Sequence, residues 1–184
     1  MSQPKSPTRS ICVYCGSRFG THAAYKQAAI DLGQVIANKG WRLVYGAGDV
    51  GLMGAVADAT QAAGGETFGV IPEHLLKREV GKRDLTSFIV TESMHERKKV
   101  MYMNSDVIVV LPGGAGSLDE LFEVLTWRQL GLHEKPIYLL NVEGYWAPLI
   151  ALLDHVIEQG FADASLRDYF TSVDTIDRLE AALS

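Results

Sequence analysis

The segment best suited to chemistry is Pro112-Gly113-Gly114-Ala115-Gly116-Ser117. It follows an uninterrupted apolar run, Val107 to Leu111, and precedes an amphipathic stretch that reads as a helix over 117–129. Glycine lets a backbone adopt positive φ and approach a ligand closely. A helix beginning at Ser117 has unpaired N–H groups and its dipole aimed at the loop, which suits a phosphate. No Gly-Lys-Ser/Thr follows, so this is not the loop that holds a nucleoside triphosphate. The expected ligand is a monophosphate group.

Glu120 stands three residues after Ser117, and that spacing has two readings. Ser117-Leu118-Asp119-Glu120 is a capping box, in which Glu120 only ties off the helix. Alternatively its carboxylate faces the ligand whose phosphate fills the loop. Asp119 and Glu123 are acids in the first turns, where they favour the helix dipole. A second charged segment, Glu92-Ser93-Met94-His95-Glu96-Arg97-Lys98-Lys99, also reads as the start of a helix. Most such runs are solvated faces. This one follows a strand, so a guanidinium at its start can reach a phosphate or a pair of sugar hydroxyls.

Two other patterns compete. Gly46, Gly48 and Gly51 satisfy G-x-G-x-x-G, and Glu73 lies 22 residues beyond Gly51, near the place of a ribose-binding acid in a dinucleotide site. The pattern follows the second strand rather than the first, and the chain leaves little room for a separate substrate domain. Close packing of helix on strand explains the glycines equally. Cys12 and Cys15 form a C-x-x-C. They lie on or beside a strand, whose successive side chains face opposite ways, so residues three apart diverge. The expectation is two reduced cysteines, with no metal site.

These residues need a scaffold, and the chain alternates strands with helices to supply one. Strands are expected at 10–14, 41–45, 67–71, 88–90, 107–111 and 136–140. Helices are expected at 23–38, 52–63, 95–104, 117–129, 146–159 and 175–183, with 72–87 irregular. Such alternation predicts an α/β fold: a single-domain, Rossmann-like open parallel sheet with helices on both faces. Ligands then bind beyond the carboxyl ends of the strands, where the glycines cluster. Residues 1–9 are polar and read as a flexible tail, leaving 10–184 as one nucleotide-binding domain. The 184 residues suffice for one core. With 17 basic and 22 acidic side chains, the net charge of −5 lacks the basic footprint of a nucleic-acid binder. No apolar run approaches the roughly 20 residues of a membrane span. The protein is expected in the cytoplasm, with no nucleic-acid or membrane partner.

Taken together, these segments resemble the Lonely Guy family, cytokinin-activating phosphoribohydrolases often mislabelled lysine decarboxylases. The family signature Pro-Gly-Gly-x-Gly-Thr-x-x-Glu corresponds to Pro112 through Glu120, with Ser117 in place of Thr. Met94-His95-Glu96-Arg97-Lys98 resembles a second signature, and Trp127-Arg128-Gln129-Leu130-Gly131 with Lys135-Pro136 also fits. Gly46-Ala47-Gly48 replaces a usual triple glycine, which adds a methyl group. Arg78-Glu79-Val80-Gly81 is a looser match to the family's Arg-Glu-Ile-Thr-Gly.

The resemblance implies hydrolysis of the N-glycosidic bond of an adenine-type nucleoside 5′-monophosphate, prenylated or plain, without a cofactor. It implies Arg97 and Glu120 as the catalytic pair. It places Glu79, Lys98, Gly113, Gly114, Ala115, Gly116, Ser117, Leu118, Asp119 and Thr126 in the substrate site, and it implies a homodimer, or a larger assembly as in a second subgroup of the family. The pyridoxal chemistry of a decarboxylase needs a Schiff-base lysine and a partner for the pyridinium nitrogen, and no constellation supplies both. The alternative on the same fold is a non-catalytic carrier of a nucleotide or phosphorylated cofactor, which has no need of both Arg97 and Glu120.

Overall fold

The computed structural model describes residues 7–76 and 84–184. In chain order the elements are β1 (Ser10–Tyr14), α1 (Ala23–Asn38), β2 (Arg42–Tyr45), α2 (Gly51–Ala62), β3 (Glu66–Pro72), α3 (Glu73–Leu76), β4 (Ser87–Thr91), α4 (Met94–Met103), β5 (Val107–Val110), α5 (Ala115–Gln129), β6 (Ile137–Leu140), α6 (Ala147–Glu158), β7 (Thr171–Val173) and α7 (Ile176–Leu183). Short 3-10 turns cover Val142–Gly144 and Ala164–Tyr169.

The strands form one sheet in the order β4-β3-β2-β1-β5-β6-β7, and every pairing is parallel. This is the expected open α/β sheet. The central strands β1 and β5 are buried on both faces, which is why they read as continuous apolar runs rather than alternating ones. One core packs Ile11, Val13, Leu43 and Val109 against α1, α2 and α7. The other packs Cys12, Tyr14, Val44 and Val110 against α4, α5 and α6. Cys12 and Cys15 are both free thiols. They contribute to opposite cores, as the strand period requires, and burial pushes both thiols well above their ordinary range.

The chain winds outward from β1 to β4, then crosses back to lay β5 on the other side of β1. The strand order therefore reverses between β1 and β5. Loops leaving two such strands diverge and open a crevice beyond their carboxyl ends. The loop after β1 begins at Cys15-Gly16-Ser17 and the loop after β5 holds Pro112 to Gly114, so the crevice lies where the glycines are.

Thr8 and Arg9 are joined to the domain: the Arg42 N–H donates to the Arg9 carbonyl at 2.8 Å, and the Arg9 guanidinium donates to the Leu183 carbonyl. No helix among the described residues is long and apolar enough to cross a membrane.

Candidate active site

The helix after the glycine loop starts earlier than its sequence suggests. α5 begins at Ala115, its N-cap is Gly114, and no side chain caps it. Ser117 is therefore the third residue of the helix and Glu120 the sixth. The capping box expected at Ser117–Glu120 is absent. Its physical cause is packing: Ser117 is buried and its hydroxyl presses on Gly113, where an added Cβ would sit 2.1 Å from it. The helix must start before Ser117 to bring that residue onto the loop. The Leu118 N–H makes the first helical bond, to the Gly114 carbonyl. The N–H groups of Ala115, Gly116 and Ser117 are left at the open end of the helix, where an anion is favoured.

A side-chain cap does occur, one helix earlier. The Ser93 hydroxyl accepts from the Glu96 N–H at 3.2 Å, and the Glu96 carboxylate accepts from the Glu92 N–H at 2.8 Å. This fixes the start of α4 and the direction of the residues after it. His95, Glu96 and Lys99 are exposed, as on a solvated face, while Arg97 and Lys98 turn inward and are buried.

Arg97 lies across the carboxyl ends of β2 and β3. Its Nε donates to the Val70 carbonyl at 3.1 Å and its Nη2 to the Gly46 carbonyl at 2.7 Å. Nη1 approaches the Met94 sulfur at 3.8 Å. Among the described residues no carboxylate lies within ion-pair distance of it. Gly46 makes this possible, because a Cβ there would overlap Nη2 at 1.9 Å.

The other glycines of the dinucleotide pattern are also accounted for by the protein's own atoms. Gly48 accommodates the Met53 side chain. Gly51 has φ 61° and would place a Cβ 2.2 Å from the Ser17 backbone. The next N–H, of Leu52, donates to the Gly16 carbonyl at 3.1 Å. The start of α2 is thus stoppered by the β1 loop rather than open to a pyrophosphate. Ala47, between these glycines, has φ 56°. Its methyl group therefore carries a backbone cost as well as added volume.

Glu120 is half-buried on α5. Its carboxyl is pushed up from the ordinary 4.5 to about 7, first by desolvation, with Asp119 and Glu123 adding to the rise and Arg97 and Lys98 opposing it. It is thus an acid poised near neutrality, with a buried guanidinium close enough to act on it. Lys98 pairs instead with Asp119 at 3.0 Å and Glu123 at 2.9 Å. Desolvation acts to lower its affinity for a proton, but the two carboxylates outweigh it, and the net change is upward. Lys98 is a strut between α4 and α5, and Asp119 and Glu123 grip it rather than only the helix dipole.

Arg97 and Glu120 are close enough to act on each other electrostatically, and Glu120 lies on α5 one turn beyond Ser117. The structure does not bring Thr126 to them. Thr126 is exposed and its hydroxyl bonds to the Phe122 carbonyl of its own helix at 2.7 Å. Six residues past Glu120, it sits about 240° around the helix and about 9 Å along it. Leu118 is half-buried beside the loop. Glu79 lies outside the described residues. Among the described residues no group of three His, Cys, Asp or Glu side chains is arranged for a metal.

On the α1 side of the same loop lies a cleft of about 360 Å³, lined by Gly16, Ser17, Arg18, Tyr25, Gly113 and Tyr145 among others. Arg97 and Glu120 do not line it. Gly46 and Tyr145 were both missed in the sequence. The first was masked by a dinucleotide pattern, and the second lies 28 residues beyond the loop it touches.

The family model described as "Possible lysine decarboxylase" matches residues 53–183. The cytokinin riboside 5'-monophosphate phosphoribohydrolase LOG3 of Arabidopsis thaliana is 42% identical over 178 residues, covering 97% of this chain and 83% of that protein. The probable cytokinin riboside 5'-monophosphate phosphoribohydrolase LOG4 of Oryza sativa subsp. japonica is 43% identical over 180 residues, covering 98% and 78%. Among solved structures, the Moco carrier protein of Chlamydomonas reinhardtii superposes with a TM-score of 0.72 at 23% identity, over 95% of this chain and 94% of that one. The molybdenum cofactor binding protein of the phototrophic bacterium Rippkaea orientalis gives 0.71 at 22% identity, over 97% and 100%. At these identities the two structures share the fold with this chain.

Proposed function

Because the chain belongs to the Lonely Guy family of phosphoribohydrolases, we propose that it hydrolyses the N-glycosidic bond of an adenine-type nucleoside 5′-monophosphate, releasing the free base and ribose 5-phosphate. The observation that carries this reading is a buried Arg97 acting electrostatically on a half-buried Glu120 near an open helix start. Arg97 is buried, held by two backbone carbonyls and not neutralised by an ion pair among the described residues. Glu120 is a carboxyl poised near pH 7. A carrier needs the phosphate loop, but it has no use for such a pair.

Cleavage takes the bonding electrons of C1′–N9 into the base and leaves positive charge on the sugar. The Glu120 carboxylate stabilises that charge and orients a water molecule towards C1′. The water's hydroxyl ends on C1′ and its proton on the departing base. The N–H groups of Gly114 through Ser117 hold the 5′-phosphate. Arg97 holds the ribose or its phosphate and fixes the reacting geometry. Lys98 acts through Asp119 and Glu123 to set α4 against α5. His95 is exposed and has no part in this scheme.

The side chains also bear on the decarboxylase description. A Schiff-base lysine must give up its proton. Lys98 is held protonated by two carboxylates, and Lys135 donates to the Tyr102 and Ser105 carbonyls at the opposite end of the sheet.

The active form in this reading is a cytoplasmic homodimer. Phe122 and Thr126 on α5 and Leu130 just past its end recur every four residues and are exposed, and Met103 on α4 and Leu132 are exposed as well. Such a stripe suits a second copy of the chain, and Thr126 then faces the partner rather than its own Glu120. The test of function is incubation with AMP and with isopentenyladenosine 5′-monophosphate, with release of free base followed by chromatography. Release is expected from at least one of them, and the ratio of rates names the preferred base.

A further inference from the structure

The Gly113 carbonyl is bonded from outside its own loop. The Tyr145 hydroxyl donates to it at 2.5 Å. The peptide plane that carries this carbonyl also carries the Gly114 N–H. Among the described residues every peptide bond is trans, so the C=O and N–H of one plane point opposite ways. Fixing the carbonyl on Tyr145 therefore aims the Gly114 N–H away from Tyr145. No backbone carbonyl among the described residues accepts from that N–H. Packing fixes the Gly113 Cα but not the plane itself: a Cβ at Gly114 would meet nothing within 4 Å, and glycine on both sides leaves rotation of the plane cheap.

Tyr145 is itself held firmly. It follows a turn in which Glu143 has φ 52° and Gly144 φ 70°. The turn is closed by the Gly144 N–H on the Asn141 carbonyl at 3.1 Å and the Tyr145 N–H on the Val142 carbonyl at 3.0 Å. Asn141 Oδ1 accepts from the Trp146 N–H at 2.7 Å, and the Trp146 indole donates to the Val110 carbonyl at the end of β5. The Tyr145 ring stacks edge-on against Tyr25 at 5.5 Å and Trp146 at 4.8 Å. The hydroxyl is thus delivered to one place by β6, α1 and β5 together.

We propose that Tyr145 is a positioning residue for phosphate recognition: it locks the Gly113–Gly114 peptide plane in the orientation that presents the Gly114 N–H to the 5′-phosphate. This rests on the phosphoribohydrolase reading and adds to it a residue from the far side of the glycine loop. Without the hydroxyl the plane is free to turn, and a carbonyl oxygen can face the phosphate in place of a donor.

The test is Tyr145→Phe, which keeps the ring and its stacking. Binding of ribose 5-phosphate is measured by calorimetry, and AMP hydrolysis by steady-state kinetics. Loss of one such hydrogen bond corresponds to about tenfold in affinity. The expected result is a ribose 5-phosphate Kd raised about tenfold and a KM for AMP raised similarly, with kcat within about twofold and adenosine binding unchanged. A merely structural role lowers the melting temperature and weakens adenosine and ribose 5-phosphate alike, and that pattern overturns the proposal. So does an unchanged ribose 5-phosphate Kd in the folded variant. If the unsubstituted protein binds no ribose 5-phosphate, the phosphoribohydrolase reading fails and this inference with it.

Discussion

Replacing Glu120 by Gln is expected to stabilise the protein above neutral pH while abolishing most of its activity. The carboxyl is raised from 4.5 to about 7, chiefly by desolvation. Each pH unit of such a rise corresponds to about 1.4 kcal/mol, so ionising this group in the folded state costs at most about 3.5 kcal/mol. The direction follows from proton binding. Between pH 4.5 and about 7 the folded protein keeps a proton that the unfolded chain has lost. Stability therefore falls as pH rises through that window and stays low above it. Glutamine is uncharged throughout and nearly the same shape. The variant should match the unsubstituted protein at pH 4 and exceed it at pH 8 by about 2–3 kcal/mol, or about 5–10 °C at this chain length. Urea unfolding at both pH values measures this, and other titrating groups cancel in the difference. A capping role for Glu120 predicts the reverse, a loss of about 1 kcal/mol at either pH. A variant that is less stable at pH 8, or whose difference is the same at both pH values, would show that Glu120 does not hold a desolvated proton in the folded state.

Other outcomes follow from the same geometry. Activity should rise with pH through about 7, because the raised carboxyl of Glu120 must be ionised to act; a kcat/KM profile that falls over pH 6–8 contradicts this. Gly46→Ala places a methyl group on the Arg97 guanidinium, 1.9 Å from Nη2, so turnover should drop roughly 10²-fold with the circular dichroism spectrum retained. Gly51→Ala combines φ 61° with a Cβ 2.2 Å from the Ser17 backbone and should cost about 3 kcal/mol or more, read as a lowered urea midpoint. Lys98→Met leaves Asp119 and Glu123 facing each other without their cation; stability should fall by about 1–2 kcal/mol, since both acids retain some water, and the loss should shrink at pH 4.

Much of the scaffold was legible because its signals are local. Val107 to Leu111 is apolar throughout because β5 is covered on both faces. The bounds of α1 follow from its periodicity and from the Gly40 stop. The errors came where a distant contact overrides a local preference. Ser117 and Glu120 have capping spacing, yet α5 starts at Ala115 because Ser117 must press on Gly113. The short β7 leaves little pattern in three residues. In the site, the loop and the inward turn of Arg97 were readable from order along the chain. The carbonyls of Val70 and Gly46 that hold it were not, since backbone acceptors have no sequence signature. Nor was the bond from Tyr145 to Gly113, which joins residues 32 apart.

Glu120 and Arg97 are what would make this fold a hydrolase rather than a carrier. The most direct test of that role is base release from AMP and isopentenyladenosine 5′-monophosphate by the purified protein and by Glu120→Gln, with no cofactor added. Free base and ribose 5-phosphate are expected in equal amounts from the unsubstituted protein, with a rate lower by roughly 10² or more in a variant that still binds nucleotide. Tight binding of both nucleotides with no base released, or equal rates in the two proteins, would contradict that role.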